Sequence, residues 1–243
     1  MMLPPKLDAR LEAALKMGEP CATFADIGAD HGRLSAVLLT RDPARRGLVT
    51  DISPKALNKA ALCLHRLGLS DRVELITADG LQALHSPVDT VFILGMGGDT
   101  IRQILLEGRE TLRAKALVLS PHTEETLVRR AVQEIGWRVR KEQIVLDAGR
   151  RYLVMRCEPA TPGEPAHTEQ ELLLGPCLLR LLPPEWLPVL MRKERLLSQG
   201  IAAMEKAALP KDVDRLARQR VELDRVRAAI ERYENQKTGG NAP

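Results

Sequence analysis

The segment Phe24-Ala25-Asp26-Ile27-Gly28-Ala29-Asp30-His31-Gly32 brings two carboxylates, an imidazole and two glycines into one short stretch. It reads as the end of a buried strand entering a tight glycine turn, with a helix starting near Arg33. Such a turn lets backbone N–H groups and a helix N-terminus approach a ligand closely. The spacing departs from the dinucleotide fingerprint. Asp30 stands where G-x-G-x-x-G needs its second glycine, the one that admits a pyrophosphate. Two carboxylates at such a seat repel phosphate and attract a cation. An acidic strand end is also a common helix cap, so the turn alone leaves both roles open.

Three further stretches carry chemistry-bearing residues. Asp51, followed by Ile52, lies about two dozen residues past the turn, where an acidic side chain can accept both hydroxyls of a ribose. Asp79-Gly80 can take the amino group of an adenine, although it is equally an ordinary turn dipeptide. Gly95-Met96-Gly97-Gly98 lets the backbone come close to a ligand and to an incoming substrate. A ligand with an ammonium, a sulfonium and an adenosyl group but no phosphate suits this set: S-adenosylmethionine. The cofactor-binding candidates are Asp26, Gly28, Asp30, His31, Asp51, Ile52, Asp79, Gly80, Gly95 and Met96.

These residues need strands that end at them. Residues 21–27, 46–51, 73–77, 88–94 and 116–119 read as strands, most of them near-continuously apolar, and each is followed by a helical stretch. Five such repeats imply a doubly wound parallel sheet covered on both faces, with ligands at the carboxyl ends of its strands. Residues 138–146 and 152–157 flank the turn Asp147-Ala148-Gly149-Arg150 and form a hairpin, which makes an antiparallel edge. An amphipathic helix over 6–17 precedes the first strand, and Thr123 opens the helix after the fifth. The fold class is α/β and Rossmann-like.

The 243 residues suffice for one such domain and a smaller module. Proline-rich residues 159–168 form the linker between a catalytic domain, 1–158, and a helical module, 169–243. In that module residues 185–208 and 211–236 are helical and separated by Leu209-Pro210. Leu216, Leu223 and Ile230 recur every seven residues, joined by Val226 and Tyr233, as in a short coiled-coil seam. Arginines and lysines such as Arg192, Arg195, Arg218 and Arg220 make it locally basic, and the tail 237–243 is expected to be disordered. Net charge is +4 and the pI about 9.0, a mild lean towards an anionic partner. Cys21, Cys63, Cys157 and Cys177 show no metal-ligand spacing and read as reduced and buried. No metal is expected, nothing reads as a membrane span, and the protein is cytoplasmic by default.

Ala25-Asp26-Ile27-Gly28-Ala29-Asp30-His31, Gly95-Met96-Gly97-Gly98 and Ser120-Pro121-His122 together resemble a known family. It is the bacterial tRNA (adenine-22-N1)-methyltransferases, within the class I S-adenosylmethionine-dependent enzymes. Leu174-Gly175-Pro176 and the C-terminal helices extend the resemblance over nearly the whole chain. It implies methylation of N1 of an adenine in the tRNA D-loop, with tRNA as partner and the coil helping to hold it. Two positions depart from the family. Arg33 stands where many relatives carry an aromatic residue, and Ser120-Pro121-His122 where they carry Gln-Pro-Asn. His122 can stack on or hydrogen-bond the adenine, or cap the next helix. His31 can orient the cofactor carboxylate or the substrate, or simply bond the turn.

The candidates closest to the reacting atoms are Asp26, His31, Gly95, Met96, Gly97 and His122. Adenine N1 carries a lone pair at pH 7, so no obligatory base is expected, and orientation and exclusion of water suffice. The exocyclic amine is disfavoured as target because Asn/Asp-Pro-Pro-aromatic is missing after the fourth strand. A small-molecule methyltransferase and a non-catalytic RNA-binding relative stay open as alternatives. Helical pairs also serve as dimerisation devices; tRNA binding ranks ahead, with a monomer favoured.

Overall fold

Only two phenylalanines occur in the chain, and both sit at the centre of its sheet. Phe24 and Phe92 meet edge to face with centroids 6.4 Å apart. Each ring takes the space of a missing side chain. A Cβ on Gly47 would lie 2.4 Å from Phe24, and one on Gly18 would lie 2.2 Å from Phe92. Leu, Val, Ile and Ala make up most of the rest of the core.

The computed structural model describes residues 3–206 and 213–239. The helix α1 (Ala9–Gly18) is capped by Asp8, whose carboxylate accepts from Leu11 N–H. It leads into β1 (Thr23–Ile27), α2 (Arg33–Arg41), β2 (Arg46–Asp51) and α3 (Pro54–Arg66). Ser53 caps α3 and Pro54 opens it. Then come β3 (Val73–Thr77), β4 (Val88–Met96), α4 (Gly98–Glu107), β5 (Ala114–Pro121) and α5 (Glu125–Glu134). The hairpin β6 (Trp137–Asp147) and β7 (Arg150–Pro159) turns at Ala148 and Gly149, both at positive φ.

The seven strands form one sheet in the order β3-β2-β1-β4-β5-β7-β6. β1 to β5 pair in parallel, and the antiparallel edge expected from the hairpin is the β7–β6 pair. Strand order reverses at β1 and β4, so the crevice beyond the carboxyl ends of these two strands is where an α/β sheet binds ligands. At the opposite rim Asp89 fastens β4 to β1. Its carboxylate accepts from the N–H groups of Ala22 (2.8 Å) and Thr23 (3.0 Å) and pairs with Lys115 of β5.

Two local expectations change. The helix after β5 begins at Glu125, behind a left-handed Glu124, and Thr123 does not cap it. The Thr123 hydroxyl instead accepts from Gly98 N–H at the start of α4 (3.4 Å). Cys63 is half-exposed on α3, whereas Cys21, Cys157 and Cys177 are buried.

The chain divides into two compact units, 1–167 and 168–243. Within the first, Arg140 of β6 pairs with Glu164 (2.7 Å for one of its two bonds), and Arg138 donates to the Pro165 carbonyl, so proline-rich residues are tied to the sheet. The second unit holds α6 (Glu169–Leu174), α7 (Pro176–Leu181), α8 (Leu187–Lys206) and α9 (Val213–Gly239). Ile201 of α8 packs with Leu216 and Leu223 of α9. The ion pairs Glu205–Arg220 (2.5 Å) and Glu194–Arg227 (2.9 Å) fix the two helices antiparallel. The connection at Leu209-Pro210 lies outside the described residues. Of the expected disordered tail, the first three residues continue α9, and 240–243 lie outside the described residues.

Candidate active site

At the carboxyl end of β1 the chain turns through Gly28 (φ +69°), Asp30 (φ +47°) and Gly32 (φ +63°) before α2. Left-handed backbone at Asp30 is costly for a residue with a Cβ, and two bonds hold it. Asp30 N–H donates to Asp51 Oδ2 (3.1 Å), and the Asp30 carboxylate accepts from His31 Nδ1 (2.5 Å). The other Asp51 oxygen accepts from Ser53 N–H (2.8 Å). Asp51 therefore locks the turn after β1 to the start of α3, while its remaining lone pairs stay open to a ligand.

Asp26 lies beneath the turn, 5% exposed, accepting from the Ser35 hydroxyl at 2.6 Å. Burial pushes its carboxyl up to about 6; the Ser35 hydrogen bond opposes this and the Asp51 charge adds to it. An ionised carboxylate here has few compensating donors, so a cationic ligand is what would stabilise it. Asp26, Gly28, Asp30, His31 and Arg10 line one cavity of about 140 Å³. This is smaller than a typical cofactor pocket. The Met96 side chain lies across the turn, its methyl 1.9 Å from where a Gly28 Cβ would be.

β4 bulges against β5 between Leu94 and Met96, which places Gly95 at φ +77°. His122 N–H donates to the Met96 carbonyl (2.8 Å), so the segments after β4 and β5 are joined at the bulge. Three side chains surround it. The His122 ring lies 5.7 Å from that of Tyr152, Arg10 sits over Tyr152 at 5.6 Å, and Arg10 Nη1 is 3.3 Å from the position a Gly95 Cβ would take. Burial and the charges of Arg10 and Arg150 lower the His122 pKa, so its imidazole is neutral at pH 7. Its ring makes no capping bond to α5.

The candidates fall into three groups. Asp26, Gly28, Asp30 and His31 share the cavity, with Asp51 bonded to its rim and Met96 over it. Gly95 and His122 form the adjoining bulge site. Ile52, Asp79 and Gly80 follow the ends of β2 and β3 and lie outside the cavity lining. Gly97 has ordinary φ (−63°) and precedes α4 as its N-cap; the glycine that packing demands is Gly98, where a Cβ would meet the Thr123 carbonyl at 2.4 Å. Arg10 and Tyr152 were not among the sequence candidates. The visible signals were a cation in the first turn of the amphipathic helix and one of only two tyrosines in the chain.

A second groove, of about 600 Å³, shares His31 and Arg33 with the cavity. Lys59 and Arg66 of α3 rim it, with Leu62 and Cys63 between them. It combines positive charge with an apolar floor. Among the described residues no helix is long and apolar enough to cross a membrane, and no group of three His, Cys, Asp or Glu side chains could hold a metal ion.

The cavity residues fit S-adenosylmethionine on the structure's own terms. The Asp26 and Asp30 carboxylates would favour the positive charge of that cofactor, and Gly28 has no Cβ where the Met96 methyl lies. Known proteins agree with the architecture. The solved structure of the m1A22 tRNA methyltransferase of B. subtilis superposes with a TM-score of 0.83 at 20% identity, over 93% of this chain and 99% of that one. The M. capricolum homologue, solved with S-adenosyl-homocysteine, gives a TM-score of 0.77 at 18% identity, over 93% and 98%. In sequence, a Mycoplasma pneumoniae protein described as "Putative tRNA methyltransferase" is 31% identical over 179 residues, covering 72% of this chain and 81% of that protein. The family model for tRNA (adenine(22)-N(1))-methyltransferase matches residues 24–218, from the second residue of β1 into α9. The chain belongs to the tRNA (adenine(22)-N(1))-methyltransferase family.

Proposed function

We propose that the enzyme methylates N1 of adenine 22 in the D-loop of tRNA, using S-adenosylmethionine, in the cytoplasm. The observation that carries this reading is the juxtaposition of the carboxylate-lined turn after β1 with the Gly95 bulge and His122, in a chain of this family. The bound cofactor supplies an electrophilic methyl group on a sulfonium. Asp26 and Asp30 favour its positive charge, Asp51 accepts from the ribose hydroxyls, and Asp79 takes the adenine amino group at the far end of the seat. Met96 is unbranched and flexible, and it rotates off Gly28 when the seat fills.

The target base leaves its stack and enters at Gly95. Gly95 offers no side chain to obstruct it, and the neutral His122 ring, backed by Tyr152, gives a face to stack on and a nitrogen to bond. Adenine N1 already presents its lone pair, so no group on the chain must remove a proton. The chain's part is to align N1 with the methyl group and to keep water out. The basic groove beside His31 and the exposed arginines of α8 and α9 receive phosphates.

Unmodified tRNA incubated with the protein and S-adenosylmethionine gains 1-methyladenosine, detected by mass spectrometry of its nucleosides. The product disappears when adenine 22 is replaced by guanine. Methylation persisting in that variant, or none in the native tRNA, overturns the reading.

A further inference from the structure

Two stripes run along α3. Leu57, Ala60 and Leu64 face the core and are buried. On the outer side Lys59, Leu62, Cys63 and Arg66 fall at i, i+3, i+4 and i+7, which is one face of a helix. All four line the groove of about 600 Å³ beside the cofactor cavity. Leu62 is 57% exposed there. A single exposed leucine is ordinary, but this one lies on a groove floor with a cation one helical turn away on either side.

The rest of the lining has the same character. It includes His31 and Arg33 and no acid. Burial pushes the Cys63 thiol up, and the charges of Arg66 and Arg33 oppose this. Both cations therefore converge on the middle of the floor, while the thiol stays neutral and behaves as a small apolar group. Close packing sets the groove against the turn after β1. Gly32 is left-handed (φ +63°), and a Cβ on it would lie 2.9 Å from the Ala60 Cβ. His31 and Arg33 accordingly belong to the walls of both the groove and the cofactor cavity. Whatever fills the groove lies next to whatever reaches the cavity.

Such a groove fits a ligand that is anionic at two places and apolar between them. A duplex backbone offers phosphates and sugars and would leave Leu62 in water. An unpaired nucleotide offers a phosphate on each side of a base whose face covers the leucine. Lys59 and Arg66 stand about 10 Å apart along the helix axis, a gap that their long arms narrow. Extrusion of adenine 22 also deprives the adjacent base of a stacking partner on one face, and an apolar floor beside the cavity replaces it. We propose that the groove on α3 holds the nucleotide next to adenine 22, its base on Leu62 and Cys63 and its two phosphates on Lys59 and Arg66. The proposal rests on the tRNA reading above, which gives this groove phosphates alone, and adds a base to it.

The test measures affinity by fluorescence anisotropy of unmodified tRNA with the full chain, at several salt concentrations. Two further tRNAs lack only a base, at the nucleotide before or the nucleotide after adenine 22. Leu62→Ser weakens binding of the native tRNA by about five-fold or more, the low end of what a stacked base contributes, and leaves the salt dependence unchanged. Lys59→Ala/Arg66→Ala reduces the slope of log affinity against log salt by about 1.4, the share of two single-strand phosphate contacts. One of the base-less tRNAs binds wild type as weakly as the native tRNA binds Leu62→Ser, and combining the two changes costs nothing more. Full affinity in Leu62→Ser, or of both base-less tRNAs for wild type, overturns the assignment and leaves a surface for phosphates only. Full tRNA affinity together with altered sedimentation of Leu62→Ser also overturns it, in favour of a second copy of the chain in the groove. Wild type that does not bind native tRNA overturns the tRNA reading itself and this assignment with it. Melting temperatures on the same samples identify a variant that fails to fold, and Leu62→Ala then carries the comparison.

Discussion

The two rims of the sheet treat an aspartate in opposite ways. At the amino end, Asp89 meets the Lys115 ammonium and the N–H groups of Thr23 and Ala22, which hold its carboxyl down to about 2. At the carboxyl end, Asp26 accepts from Ser35 through its hydroxyl and its backbone N–H, but burial outweighs both and raises the carboxyl to about 6. At the Asp26 rim the turns run through left-handed backbone at Gly28, Asp30, Gly80 and Gly95, and one of these residues, Asp30, carries a side chain. A saturated carboxylate contributes to stability; an under-partnered one costs stability and leaves a place for a ligand. Strain and unmet charge concentrated at one rim mark the functional end of a molecule.

The larger effect is expected at Asp26. Its folded pKa exceeds the ordinary 3.8, so between about pH 4 and 6 the folded chain holds a proton that the unfolded chain has released. Stability therefore falls as pH rises through that window, and above it the ionised group costs about 3 kcal/mol. Asp26→Asn removes that cost: thermal melts of the cofactor-free protein at pH 7.5 move upward, and their pH slope between 4 and 6 flattens. A lower melting temperature would mean that the buried carboxylate is satisfied after all.

Asp89→Ala should act with the opposite sign and somewhat more weakly. The depressed pKa corresponds to about 2 kcal/mol of stability, present above pH 4 and lost as pH falls towards 2. Urea unfolding at pH 7 should show a loss of that size, and at pH 2 the difference from wild type should largely vanish. An unchanged midpoint at pH 7 would make the rim contacts incidental.

Legibility in the sequence divided along a similar line. The strands of the parallel sheet could be read because apolar runs ending in glycine or aspartate are local patterns. The turn residues Asp26, Gly28, Asp30 and His31 reach one cavity for the same reason, since a single strand end delivers all four. Arg10 and Tyr152 meet only because α1 packs against the closing hairpin, across more than half of the chain. The buried ion pair Arg129–Glu142 (2.8 Å) and the Asp89 clamp have the same origin, and no window of sequence contains both partners in a recognisable spacing. Thr123 looked like a cap for the helix that follows it, and tertiary packing gave its hydroxyl to Gly98 instead. Local chemistry could be read from the chain; chemistry assembled across the sheet could not.

The most direct test of the division between rims is calorimetric titration of S-adenosylmethionine into wild type, Asp26→Asn and Asp89→Ala at pH 7.5. The expected result is one site per chain, at least ten-fold weaker binding for Asp26→Asn despite its higher melting temperature, and unchanged affinity for Asp89→Ala despite its lower one. Equal affinity in wild type and Asp26→Asn, or a loss in Asp89→Ala matching its loss of stability, would contradict the assignment of the cofactor to the strained rim.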